Sequence, residues 1–145
     1  MRRALRGRAG RRNLPTAAPY VLGELRRLRA TLPGLTGALV AGTEGVVLAQ
    51  DTPDVEPEGA AALTATALGV AARLGEATGR GAFRELLVRG EHGYVAAYAA
   101  GGAAVLTLLA EPRVNVGRLH LEGRRSGALI GELVDGALER PDARP

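Results

Sequence analysis

An α+β domain is the fold class this sequence predicts, and three observations carry it. A helical apolar period runs over Ala17 to Leu32 and again, for longer, over Glu58 to Thr78. Between them, Leu35 to Ala49 makes two short β-type runs around a glycine turn, as a hairpin does. Finally, Ala82 to Ala110 reads as three consecutive strands joined by two tight turns, with a last helical stretch from Val114. The 145 residues are enough for one domain with a sizeable core and too few for two.

Residues 1–16 hold arginines and glycines without apolar periodicity, then a proline, and are expected to be a disordered leader. Six of the 19 basic residues lie in the first twelve positions; without them the acids outnumber the bases. The body is therefore mildly acidic, and the formal charge of +4 belongs to the leader. A nucleic-acid or anionic-membrane arm is one reading of that leader. A solvated extension, or a start codon chosen too far upstream, is the preferred one.

Val21, Leu25, Leu28 and Leu32 recur at helical spacing, and Pro33-Gly34 stops this first helix. Leu35 to Ala41 and Val46 to Ala49 form the hairpin around Gly42-Thr43-Glu44-Gly45. These glycines make no phosphate cradle, because no helix N-terminus follows them.

The connector Asp51 to Pro57 delivers the most informative helix, Glu58 to Thr78, roughly 32 Å long at 1.5 Å per residue. It has two apolar stripes. Leu63, Ala67, Val70 and Leu74 form one, expected to dock on the chain's own sheet. Ala61, Ala65, Leu68, Ala72 and Gly75 form the other, nearly all small, so a second backbone can come close. The chain has no spare element to cover both, so the small stripe is expected to meet a partner helix, most simply its own copy across a two-fold axis. Burial in a larger layer of the same domain is the alternative.

In the meander, Phe83 to Arg89 and Tyr94 to Ala99 flank the turn Gly90-Glu91-His92-Gly93. Ala100-Gly101-Gly102-Ala103 marks a second turn, and Ala104 to Ala110 is almost purely apolar, as a central strand covered on both faces should be. Glu111-Pro112 ends the sheet. The last helix, to about Glu139, carries Val116, Leu119, Ile130, Leu133, Val134 and Ala137 on one side, and residues 140–145 are tail.

Several chemistries are excluded or left without support. The absence of cysteine removes disulfides, thiolate nucleophiles and cysteine metal sites. Every basic residue is arginine, which removes lysine bases, Schiff-base chemistry and the Walker phosphate loop, and with the abundant Ala and Gly points to a high-GC bacterial genome. His92 and His120 lack a second ligand at metal spacing, and Ser126, the only serine, lacks the glycine flanks of a nucleophile elbow. The sequence points away from an enzyme, and no cofactor or metal is expected. No apolar run reaches the roughly 18–20 residues of a membrane span, and the N-terminus lacks a signal peptide's apolar stretch, so the chain is expected to be cytoplasmic.

The order helix, hairpin, long helix, three-strand meander, helix resembles the roadblock family of dynein light chains and their bacterial MglB-type relatives. Gly45-Val46-Val47-Leu48-Ala49 in the hairpin, Leu87-Val88-Arg89-Gly90-Glu91-His92-Gly93-Tyr94 across the first meander turn, and Asn115-Val116-Gly117 opening the last helix carry the likeness. It covers roughly residues 17–139. The resemblance implies a five-stranded antiparallel sheet with the middle helix on one face and the two terminal helices on the other, in the order α-ββ-α-βββ-α. It also implies a homodimer in which the middle helices pack together and the strand Phe83 to Arg89 pairs with its copy. Members are non-enzymatic scaffolds or regulators of small Ras-like GTPases, and in actinobacteria such proteins look like companions of a GTPase and a sensor kinase. The arginine-rich leader departs from the family pattern.

The expected function is thus a dimeric regulator or scaffold in bacterial signalling. Its interface residues are Ala61, Ala65, Leu68, Ala72 and Gly75 on the middle helix and Arg84, Leu86, Leu87 and Val88 on the free edge strand. The alternatives are a PAS- or GAF-like ligand-sensing module and nucleic-acid binding through the leader. Nucleic acid is the least favoured partner.

Overall fold

A computed structural model describes residues 14–139. Its elements run α1 (Leu14–Thr31), β1 (Leu35–Gly42), β2 (Val47–Asp51), α2 (Pro57–Ala77), β3 (Glu85–Gly90), β4 (Gly93–Ala100), β5 (Ala104–Ala110) and α3 (Val116–Glu139). The leader lies outside the described residues except for its last three, which open α1. Leu14 is drawn into the helix because it packs against the core, and Pro15 is tolerated in a first turn. The tail, 140–145, also lies outside them.

The five strands form one antiparallel sheet in the order β2-β1-β5-β4-β3. The apolar strand β5 therefore sits at the centre, paired on both sides, as its composition predicts. Alternation along the strands sorts the core into two faces. Ala38, Val40, Tyr98, Leu106 and Leu108 face α1 and α3, and with Val21, Leu25, Leu28, Leu119 and Ile130 they make the main core. Each of those large side chains contributes about 1.5–3 kcal/mol on burial. Leu39, Ala41, Ala97 and Val105 face the other way, toward α2.

One device on the main face is absent from the helical pattern read above. Gly123, Gly127 and Gly131 form a buried stripe on α3 that lies directly on the sheet. A Cβ at Gly123 would strike the Tyr98 ring, one at Gly127 would come within 3.0 Å of the Ala99 carbonyl oxygen, and one at Gly131 would collide with the Gly101 amide nitrogen. Glycine lets the helix backbone approach β4 more closely than any side chain permits. At the start of α3 the Asn115 side chain accepts from the Arg118 amide at 3.0 Å, a normal N-cap.

Candidate interaction surface

The long middle helix α2 is well specified at both ends. Glu56 caps its start, accepting from the amides of Glu58 (3.1 Å) and Gly59 (2.6 Å), with Pro57 in the first turn. At its end, Gly79 takes a positive φ, its amide donates to Glu76, and the Arg80 amide donates back to Gly75 at 2.7 Å. That is a Schellman stop, and it turns the chain toward β3.

The two apolar stripes of α2 are placed opposite to the sequence expectation. Ala61 and Leu68 are buried against the chain's own sheet, and Ala65, Ala72 and Gly75 lie on the same side of the helix. Ala61 joins Leu39 and Ala41, while Leu68 joins Ala97 and Val105 with Phe83 and Leu86 beside it. The large stripe faces out: Leu63, Val70 and Leu74 are 74, 65 and 63% exposed. The close approach that small residues allow is spent on the sheet rather than on a partner helix. A wheel shows that two stripes exist, and only the tertiary packing decides which turns inward.

The second predicted patch lies at the edge. β3 pairs with β4 alone, and Leu87 and Val88 are 38 and 48% exposed. Arg84 lies just before the strand, whereas Leu86 packs partly against the Leu68 cluster. Regular pairing starts at Glu85, two residues later than expected, because Phe83 turns in to pack beside Leu68. Glu85 is tied to the opposite side of the molecule. Arg124 on α3 donates to its carboxylate from Nε (2.8 Å) and Nη2 (3.1 Å), and His120 Nδ1 lies 3.1 Å from Glu85 Oε2 and 2.9 Å from the Tyr98 hydroxyl. The Arg124 hydrogen bonds hold the Glu85 carboxyl below the usual carboxylate range, and burial pushes the Tyr98 phenol well above its own.

A second polar knot joins α1 to α3. The Ser126 hydroxyl donates to Glu24 Oε1 at 2.7 Å, and Arg27 donates to both carboxylate oxygens of Glu24. Hydrogen bonding from Arg27 lowers the Glu24 pKa against the opposing effect of burial. The single serine is thus a buried tie between helices. His120, Arg124, Glu24 and Ser126 escaped the sequence reading as a set because, apart from the local Glu24–Arg27 pair on α1, their contacts join distant elements; only the rarity of serine and histidine marks them.

Two apolar clefts flank these features. One of about 570 Å³ lies between the β1–β2 and β4–β5 turns and the ends of α1 and α3, with Leu14, Val47, Val134 and Leu138 in its wall. The other, about 300 Å³, lies under α2 beside Ala72, Phe83 and Val105. A small-molecule site normally pairs an apolar wall with a few buried polar groups aimed inward. Among the described residues the one buried side-chain atom without a hydrogen-bond partner is Arg29 Nε, and Arg29 lines neither cleft.

β2 and β3 are the two edge strands of the sheet, and α2, on the face beside β3, turns Leu63, Val70 and Leu74 outward. The family model described as Roadblock/LC7 domain matches residues 21–110, and the chain belongs to the roadblock/LC7 family. Uncharacterized protein MJ1340 of Methanocaldococcus jannaschii is 31% identical over 98 residues, 67% of this chain and 85% of that protein. Among solved structures, an MglB with a tetrameric arrangement has the same fold, with a TM-score of 0.78 at 22% identity over 83% of this chain and 92% of that one. Gliding protein MglB from Thermus thermophilus matches with a TM-score of 0.72 at 25% identity, over 85% of this chain and 92% of its own.

Proposed function

We propose that this chain is a non-enzymatic, dimeric regulator or scaffold that binds a small Ras-like GTPase in bacterial signalling. The observation that carries the reading is the outward apolar stripe of α2, Leu63, Val70 and Leu74, on the side of the sheet that Leu86 and Val88 of the free edge β3 also face. Exposed apolar side chains at this density on one helix mark a contact surface. The family supplies the class of partner, and a relative of the same fold described as having a tetrameric arrangement supports self-association. The interface residues are then Leu63, Val70 and Leu74 in place of the buried small stripe, together with Arg84, Leu87 and Val88. Among the described residues no helix is long and apolar enough to cross a membrane, which is compatible with action in the cytoplasm.

Light scattering at micromolar concentration is expected to give a dimer, and immobilised protein to retain a Ras-like GTPase from extracts loaded with GTP or GDP. Val70→Glu is expected to leave the melting temperature nearly unchanged, since Val70 touches solvent, while abolishing one or both associations. A strict monomer that retains no GTPase removes the reading.

A further inference from the structure

α3 has a second side, turned away from the core, and the charges on it are ordered along the helix. Buried residues, among them Leu119, Gly123, Ile130 and Val134, mark the inner side. At roughly 100° per residue the opposite side holds Arg118, Leu121, Arg125, Ala128, Glu132 and Glu139, all exposed. The arginines lie in its first half and the glutamates in its second. That order runs against the helix dipole, which favours acids in the first turn and bases in the last. α3 has no acid in its first turn and no base in its last, so local helix stability does not explain the order. Nor do ion pairs within the chain. Arg125 pairs with Glu122 at 3.5 Å, and among the described residues no arginine pairs with Glu132 or Glu139.

Gly136, on the same outer side, is a second observation. Glycine weakens a helix interior. At Gly123, Gly127 and Gly131 the close approach of β4 requires it, but a Cβ at Gly136 would meet nothing within 4 Å. The chain's own packing does not call for a glycine there.

We infer that α3 packs antiparallel on α3 of a second copy, across a two-fold axis that passes between Ala128 and Leu129. Charge selects this occupant. In that arrangement Arg125 faces Glu132 of the second copy and Arg118 faces Glu139 of the second copy, each twice by symmetry. The apolar side chains fit the same axis. Leu121 and Leu129, both nearly half exposed, lie opposite Gly136 and Ala128 of the second copy, large against small. A parallel copy would set like charges together along the whole stripe. An antiparallel copy whose axis lies one turn away would bring Arg125 or Glu132 onto itself.

This contact lies on the side of the sheet opposite α2, so it does not depend on the dimeric reading above and leaves the α2 surface free. A dimer built through α2 carries two α3 stripes, and its mass then grows past two chains. Partly exposed charge pairs give specificity more than affinity. The α3 contact therefore forms at higher concentration than the dimer.

Sedimentation equilibrium of the whole chain from micromolar to millimolar concentration tests the inference. The wild type is expected to pass from dimer to larger even-numbered species, and to do so less at high salt. Arg125→Glu alone and Glu132→Arg alone each set like charges together twice, and each is expected to weaken that step at least about tenfold. Both side chains are exposed, so neither change is expected to disturb folding. The double variant carrying both changes is expected to restore the step, because the exchanged charges meet again across the axis. Gly136→Gln is expected to weaken it while raising the melting temperature. If the starting species is a monomer, the dimeric reading fails alone, and the same variants then report the α3 step from monomer to dimer. A wild type whose mass never grows on concentration, single reversals without effect, or a double variant no stronger than the single ones overturns the α3 contact. Association that is untouched by Gly136→Gln overturns the position of its axis.

Discussion

On one face of the sheet, α1 and α3 press leucine, isoleucine and bare glycine backbone onto the strands and are tied together by Glu24, Arg27 and Ser126. On the other, α2 touches the strands with Ala61 and Leu68 and leaves Leu63, Val70 and Leu74 in water. The first face is closed at the level of single methyl groups. The second has an inner layer of small residues and an outer layer with nothing on it in the single chain. The contrast separates the part of the molecule that holds the fold from the part free to meet another protein, and the two helical coverings respond differently to the same change.

The largest effect is expected at Gly131. Gly131→Ala places a methyl group on the Gly101 backbone, which cannot swing aside as a side chain would, and is expected to cost about 3 kcal/mol or more in a denaturant melt. A loss below about 1 kcal/mol would show that α3 sits less tightly on β4 than its glycine stripe implies.

Next in size is the α1–α3 knot. Glu24→Ala leaves the buried Ser126 hydroxyl and the Arg27 guanidinium without their acceptor and is expected to cost about 1–3 kcal/mol at neutral pH. Because Arg27 and Arg124 hold Glu24 and Glu85 below the ordinary carboxylate range, their contribution is fully present above about pH 4.3 and is lost as the pH falls through the lowered values. Stability is therefore expected to fall on the acid side, and Glu24→Ala to flatten that fall. An unchanged acid slope would remove Glu24 from the account.

The smallest effect has the opposite sign. At Gly69 on α2 a Cβ meets nothing within 4 Å, so Gly69→Ala is expected to raise stability by about 0.4–1 kcal/mol through the unfolded chain's lost freedom. The same substitution on the two helices thus sharpens the contrast between the faces: one adds stability, the other removes it.

Sequence alone determined the order of the elements, the turns at Gly42–Gly45 and Gly90–Gly93 and the central position of the apolar Ala104–Ala110 strand, whereas the edge position of β3 was implied only by the family resemblance. The first three follow from local spacing, turn residues and strand composition, which act over a few neighbouring positions. The packing of α2 was legible only in part: both stripes could be read, and the inward one could not. Helical periodicity fixes angles around one axis and carries no information about which side meets the sheet. The glycine stripe of α3 was equally silent, since a missing side chain leaves no mark on an apolar pattern. Tertiary structure also decided the partners of Glu24 and Ser126, and of Glu85, His120 and Arg124. Each pair spans tens of residues or more along the chain, and such a contact exists only after the sheet has brought its helices together.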